Sequence, residues 1–551
     1  MHNDPVKRTP VDAVLALLLA AILAVAGCGV PSSAASPSAP AGESAPPSRP
    51  SAPAESTPDV APATPDPTAS PAPTPTPLAL ADVAIVPVTH FRTLYSASSL
   101  AEVRAVLAGT SARYDALELV SADADAILAA LGLARPTVAA RLVLARDAAA
   151  LSKDLAANRK RLGFLRADEI GQSVRALSWG RHAMFGVGRV ATLAEWPVKA
   201  RVPAASVPAE PDYDPAAAWT LFAGGDIMLD RGVAKTVTID GKGVDFPFNG
   251  GTAKITARVC CSQFGHRTPR MQRTGDAGAV RALIQGADLA IANFENPAPN
   301  SFRWHTSGTV FSANPKLIDG LRTAGIDWVS LGNNHIRDAG ANGIIQTIAN
   351  LENRGIAWSG AGKNLAEARR PAILQAAGIK VAFLGYDTVA GYYAASATRA
   401  GNAQMSAAVV KADVAAARKA GADLVVVFPH WGAEYDATPS PSQQRLARAV
   451  IDAGADMIIG NHAHWAAAME IYKGKPIWYA LGNFIFDQVW SEKTMEGITL
   501  ELTFVGTELR QIRMRPHIIL DKAQPNFLEP TGDGKIVMNQ VFAASKGLLP
   551  W

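Results

Sequence analysis

The stretch Thr220-Leu-Phe-Ala-Gly-Gly-Asp-Ile-Met228 decides the fold. A short apolar run, Thr220 to Ala223, has the composition of a buried strand and passes through two glycines into a single carboxylate, Asp226. The same grammar recurs downstream. Ala287–Ala292 leads into Asn293-Phe-Glu295, and Asp327–Leu331 leads into Gly332-Asn-Asn334-His335-Ile-Arg-Asp338. Leu424–Phe428 leads into His430-Trp-Gly-Ala-Glu434-Tyr435, and Met457–Ile459 into Gly460-Asn-His462-Ala-His464. Val381–Leu384 is a further strand-like run. Between the runs, Ile344, Ile348 and Leu351 share one helical face, as do Leu446 and Val450. Alternating strands and helices imply an α/β fold with buried sheets, and ligands of such sheets gather at the carboxyl ends of the strands. Gly497–Phe504 and Leu509–Met514 alternate apolar and polar residues across a turn, which predicts an antiparallel hairpin.

Upstream, the chain changes character. Of its 551 residues, 48% are hydrophobic and 18% charged, with a net charge of +4. That length implies more than one domain, and so small a net charge offers no basis for a nucleic-acid partner. Lys7 and Arg8 precede an apolar run from Ala13 to Ala26 that ends at Cys28. The run is short for a bilayer span and suits a signal peptide; small residues before a cysteine resemble the bacterial lipobox. Residues 1–28 are therefore expected to be a lipoprotein signal with Cys28 acylated, anchoring the protein to the outer face of the cell membrane. Residues 29–77, rich in Pro, Ala, Ser and Thr, read as a disordered spacer. Residues 78–210 read as a small α/β module of unassigned role. Within it, Val83–Val88 is an expected strand, Asp115–Leu133 an expected helix, and Leu162–Leu177 an expected strand–turn–strand. Residues 217–520 form the expected main domain and 521–551 a C-terminal extension. The remaining cysteines, Cys260 and Cys261, are adjacent, which leaves a vicinal disulfide or two thiols in a loop and excludes a disulfide framework.

The recurring strand-end residues make a mixed set of carboxylates, amides and imidazoles. Such a set suits zinc, manganese or iron rather than calcium. The motifs Gly225-Asp-x-Met228, Asn293-x-Glu295, Gly332-Asn-Asn-His-x-x-Asp338, His430-Trp-Gly-x-Glu-Tyr435, Gly460-x-His-x-His464 and Tyr479-Ala-Leu-Gly-Asn-Phe-x-Phe-Asp-Gln488 resemble the CapA family of poly-γ-glutamate capsule synthesis proteins. The resemblance implies a metallophosphoesterase-like two-sheet α/β sandwich carrying two divalent metal ions. It makes Asp226, Glu295, Asn334, His430, His462 and His464 the metal ligands, with Glu295 shared between the two sites. His335 becomes the acid that protonates a leaving group, and Asp338 its orienting partner. Asn293, Glu434, Tyr435, Asn483 and Asp487 become supporting or substrate-facing groups. Met228 stands where metallophosphoesterases usually carry a histidine, which leaves the first site one ligand short. The implied function is work on a capsule polymer at the cell surface, with poly-γ-glutamate and a capsule synthesis complex as partners. Two other readings stay open: an exported phosphoesterase or γ-glutamyl hydrolase unconnected with a capsule, and a non-catalytic polymer-binding lipoprotein.

Overall fold

The computed structural model describes residues 79–209 and 213–551. The expectations for the signal segment, Cys28 and the spacer lie outside these residues. Among the described residues no helix is long and apolar enough to cross a membrane.

The N-terminal module is one six-stranded sheet. Its strands are β1 (Leu80–His90), β2 (Ala116–Val120), β3 (Leu142–Ala145), β4 (Arg161–Arg166), β5 (Val174–Ala176) and β6 (Lys199–Pro203). One expectation is corrected here. The first half of Asp115–Leu133 is β2, and the helix is confined to Ala124–Ala130. Ala116-Leu-Glu-Leu-Val120 places apolar residues at positions that satisfy either period, and parallel pairing with β3 and β4 decides for the strand. The strand–turn–strand expected over Leu162–Leu177 is β4 and β5, and both pair antiparallel with β1, where Val88 lies opposite Gly163 on one side and Ala176 on the other.

The main domain begins with β7 (Ala218–Ile227), buried at every position. A strand covered on both faces reads as a continuous apolar run, as Thr220–Ala223 does. The next strands are β8 (Thr252–Val259), β9 (Thr268–Gly275), β10 (Leu289–Phe294), β11 (Trp328–Ser330) and β12 (Ala357–Ser359). They are followed by β13 (Ala372–Ala376), β14 (Ile379–Asp387), β15 (Leu424–His430), β16 (Met457–Ile459), β17 (Met469–Tyr472), β18 (Lys475–Trp478) and β19 (Asn483–Ile485). The last are β20 (Glu496–Val505), β21 (Glu508–Leu520) and β22 (Gln524–Leu528).

Ten of these strands build a sheet in the order β9-β8-β22-β21-β20-β7-β10-β11-β12, with β19 also pairing to β7. Six build a second sheet in the order β13-β14-β15-β16-β18-β17. Trp219, Leu221, Ile291 and Trp328 of the first sheet meet Val381, Phe383, Val426, Phe428 and Ile459 of the second in one core. Trp328 spans the layers, with its ring 5.2 Å from that of Phe383 and 5.3 Å from that of Phe428. On the outer faces, Ile344, Ile348 and Leu351 cover the first sheet, while Val410, Val414, Val450 and Ile451 cover the second. The result is a four-layer α/β/β/α sandwich.

Residues 521–551 are not an appendage. β22 pairs with both β21 and β8, and the helix Gly534–Ala544 buries Val537, Met538 and Val541 in the inter-sheet core. The Cys260–Cys261 segment caps the hairpin of β8 and β9, which joins the first sheet through β22, and the two cysteines form a vicinal disulfide.

Candidate metal centre

The parallel strands β7, β10 and β11 of one sheet, and β15 and β16 of the other, end at the same edge of the sandwich. Asp226 closes β7, in register with Asn293 on β10. The approach there requires glycine: a Cβ on Gly225 would lie 1.9 Å from the Gly482 carbonyl oxygen. That tight crossing seats the loop carrying Asn483 directly against Asp226, whose N–H donates to the Gly482 carbonyl at 3.1 Å.

Asp226, Glu295 and His430 each offer a ligand atom within 4.8 Å of the others, and all three are buried. Glu295 Oε1 lies 3.7 Å from His430 Nε2 and 3.7 Å from His464 Nε2. His464 Nδ1 is 2.8 Å from Asn483 Oδ1 and 3.4 Å from Asp226 Oδ2. A proton on Nδ1 directed at the Asn483 amide oxygen leaves the Nε2 lone pair facing Glu295, the tautomer a metal ligand requires. His462 Nδ1 stands 3.0 Å from His430 Nε2, and its backbone N–H donates to Asp226 Oδ2 at 3.4 Å. His462 and His464 both adopt positive φ, 90° and 55°. Two non-glycine residues in this region cost on the order of 1 kcal/mol or more each, and such strain concentrates at functional sites.

The electrostatics oppose an empty cluster. Burial and the neighbouring Asp226 push the Glu295 carboxyl well above its usual range. Burial, reinforced by the other imidazoles, holds His430 well below the ordinary histidine value and His462 at about 3. Glu295 Oε1 and Asn334 Oδ1 are buried without any hydrogen-bond partner. A buried acceptor left unpaired costs on the order of 1–3 kcal/mol. Glu295 Oε1, 3.7 Å from Nε2 of His430 and of His464, belongs to a set of carboxylates and imidazoles that a divalent transition-metal cation fits.

Asn293 supports this group from within: its Nδ2 lies 2.7 Å from Asp226 Oδ1, 3.4 Å from Glu295 Oε2 and 3.2 Å from His430 Nδ1. His335 stands at the rim, with Nδ1 2.8 Å from Asp338 Oδ2 and its ring 4.3 Å from Phe311. Asp338 Oδ2 also accepts the Phe311 N–H at 2.8 Å.

Three residues lie apart from the cluster, Met228 in keeping with its expected absence from the ligands. Met228 is buried in the apolar layer outside the first sheet, and its sulfur accepts the Asp230 N–H at 3.1 Å. Asp487 pairs with Arg231 and accepts the Gly232 N–H, so it anchors a turn rather than joining the cluster. Glu434 is exposed and reaches Glu295 only through its charge, whereas the Tyr435 ring lies 5.9 Å from that of His464. Neither Glu434 nor Tyr435 caps the following helix, which starts at Pro441 behind Ser440.

Sequence reasoning missed Asp387 at the end of β14. It accepts from the N–H groups of Val389 and Ala390 and from Asn402 Nδ2, and Asn402 Nδ2 also reaches the Asn333 carbonyl beside Asn334. Its signal was the same strand-end position that marks Asp226. His517, too, has a partner that no spacing reveals, with Nε2 2.9 Å from the Asn483 carbonyl.

Residues 220–488 match the family model described as bacterial capsule synthesis protein PGA_cap. The 220–488 domain belongs to the PGA_cap family. It is similar to the capsule biosynthesis protein CapA of Bacillus anthracis, 34% identical over 220 residues, covering 38% of this chain and 54% of that one. It is also similar to the PGA biosynthesis protein CapA of Bacillus subtilis, 33% identical over 216 residues, covering 38% of this chain and 57% of that one. The chain thus spans little more than half the length of these two relatives. Among solved structures, a 5'-nucleotidase precursor from Thermus thermophilus aligns at a TM-score of 0.34 with 14% identity, over 60% of this chain and 59% of that one. A likeness at that score carries no argument about activity. The strand-end cluster of the PGA_cap domain stands on its own geometry.

Proposed function

We propose that the PGA_cap domain is a divalent-metal-dependent hydrolase or transferase acting on a capsule polymer of the poly-γ-glutamate type. We place it outside the cell, tethered through Cys28. The observation that supports the reading is Glu295 Oε1, buried and unpartnered beside Asp226 and the imidazoles of His430 and His464. Asp226, Glu295 and His464 would hold one ion, and Glu295, Asn334, His430 and His462 a second, of manganese, zinc or iron. A bound divalent ion supplies Lewis acidity toward a phosphoryl or carbonyl oxygen.

The chain's own groups do the rest. Asn483 fixes the His464 ring by holding Nδ1. Asp338 holds Nδ1 of His335, so His335 Nε2 is the atom positioned to give a proton to a departing oxygen or nitrogen. The Phe311 ring, tilted against His335, covers one side of the imidazole. The names of the CapA relatives supply the polymer class, and the lipobox-like sequence supplies the tether.

The test is metal analysis of the purified protein, coupled to turnover of a chromogenic phosphodiester and of poly-γ-glutamate. About one or two equivalents of a transition metal, with turnover lost in Asp226→Asn, support the reading. Less than one equivalent after manganese and zinc supplementation sinks it.

A further inference from the structure

A cavity of about 670 Å³ opens between the N-terminal module and the first sheet, and none of the candidate metal residues lines it. That volume falls within the range of small-molecule sites. It exists because β21 is left partly uncovered. β22 pairs with β21 only from His517 to Leu520, and β5 approaches farther along, where Gln511 Oε1 accepts the Ala176 N–H at 2.9 Å. Between these contacts lie Arg513 and Arg515, alternate residues of one strand and so on one face. Arg175 of β5 faces them across the cleft.

Charge is unbalanced there. Glu501 lies opposite Arg513 in the β20–β21 register, and its Oε2 is 3.5 Å from Arg513 Nη1 and 2.6 Å from Arg515 Nη2. Its other oxygen accepts the Val187 N–H at 2.7 Å. Arg175 donates Nη1 to the Ile512 carbonyl at 2.7 Å, while its Nε is buried with no partner. Burial, with Arg513 and Arg515 close by, lowers Arg175 from its ordinary value to about 9, and Glu501 is the one carboxylate acting against that shift. Three guanidiniums therefore share one carboxylate. The acids that line the cleft, Asp276 and Glu529, are exposed. Val187, Leu283 and Phe527 supply an apolar wall on the face of β21 that carries the two arginines, with the Arg515 guanidinium 5.8 Å from the Phe527 ring.

We propose that this cleft binds a ligand carrying a carboxylate on an aliphatic chain, with the carboxylate held by Arg175 and Arg515 and the chain against Val187, Leu283 and Phe527. A guanidinium presents paired N–H donors matched to a carboxylate, and an apolar wall selects for the methylenes behind it. The cleft does not depend on the metal reading; only the choice of a γ-linked probe rests on the proposed polymer.

Isothermal titration calorimetry on the full chain tests it, with glutarate and a synthetic γ-linked glutamate pentamer as probes. Saturable binding of glutarate is expected, weakened by salt. Loss of affinity by ~10-fold or more in Arg175→Gln and in Arg515→Gln is expected from removing a charged, forked donor. Asp226→Asn leaves it unchanged. Arg175→Lys keeps the charge and the apolar stem, so it serves if the Gln variant fails to fold, and its affinity falls between the two. Absent glutarate binding, affinity unmoved in both Arg175 variants, or displacement of glutarate by equimolar inorganic phosphate each overturns the proposal. Glutarate binding without pentamer binding supports the cleft and counts against the polymer.

Discussion

The two sheets contribute different chemistry to the same edge. The ten-stranded sheet delivers oxygen: Asp226 on β7, Asn293 and Glu295 on and after β10, and Asn334 after β11. The six-stranded sheet delivers nitrogen: His430 on β15, with His462 and His464 after β16. Neither half is a metal site alone. Carboxylates without imidazoles suit hard cations, and imidazoles without carboxylates leave charge unbalanced. The centre therefore exists only while the two layers stay in register.

Breaking the interlayer contact gives the largest expected effect. Trp328→Ala removes the ring that stacks on Phe383 and meets Phe428. It should cost about 3–5 kcal/mol in denaturant unfolding, and metal content should fall with it. Retained metal at reduced stability would mean that each sheet holds its ligands independently. The next effect separates chemistry from assembly. His335→Asn should leave metal content intact while lowering kcat by roughly 100-fold or more. With a p-nitrophenyl leaving group, which departs without a proton, the loss should nearly vanish; an equal loss on both substrates would remove His335 from the acid role.

A finer probe addresses one nitrogen of the second sheet from the first. Asn483→Ala frees His464 Nδ1, and metal affinity by competition with a chelator should weaken by ~10-fold. Unchanged affinity would show that Asp226 alone orients that ring. The smallest effect is on acid stability. Burial lowers His90 and His517 to about 4 in the folded protein, against 6.5 unfolded. The unfolded chain thus takes up protons first as pH falls. The stability these neutral rings contribute is full above pH 6.5 and is lost as pH drops toward 4. His90→Asn should flatten part of that slope in thermal melts and leave metal content alone.

Much of this division was readable from the chain. Strands buried on both faces must be nearly all apolar, so a polar residue at their ends stands out, as Asp226, Glu295, His430 and His464 do. The layers followed from the alternation of strand and helix. What stayed hidden depended on partners far away in sequence. Ala116–Val120 became a strand because β3 and β4 flank it. Residues 521–551 carry no motif, yet they complete both the first sheet and the inter-sheet core. Met228 marked a departure from the metallophosphoesterase pattern, but only packing shows it turned into the apolar layer. The arginine cleft joins Arg175 to a strand 337 residues later, a juxtaposition that no local pattern encodes.

Gln511 carries a practical consequence. Its side-chain amide accepts from Ala176 and donates to the carbonyls of Gly171 and Val174, standing in for backbone pairing between β5 and the neighbouring sheet. Anyone trimming the gene to express residues 217–551 without the N-terminal module would cut that stitch. The fragment would present β21 as a raw border with unmet amides and oily side chains, a template for strand addition by its neighbours. Yield and solubility, rather than activity, would be the first things lost. A useful expression boundary therefore lies before Leu80, with the module retained.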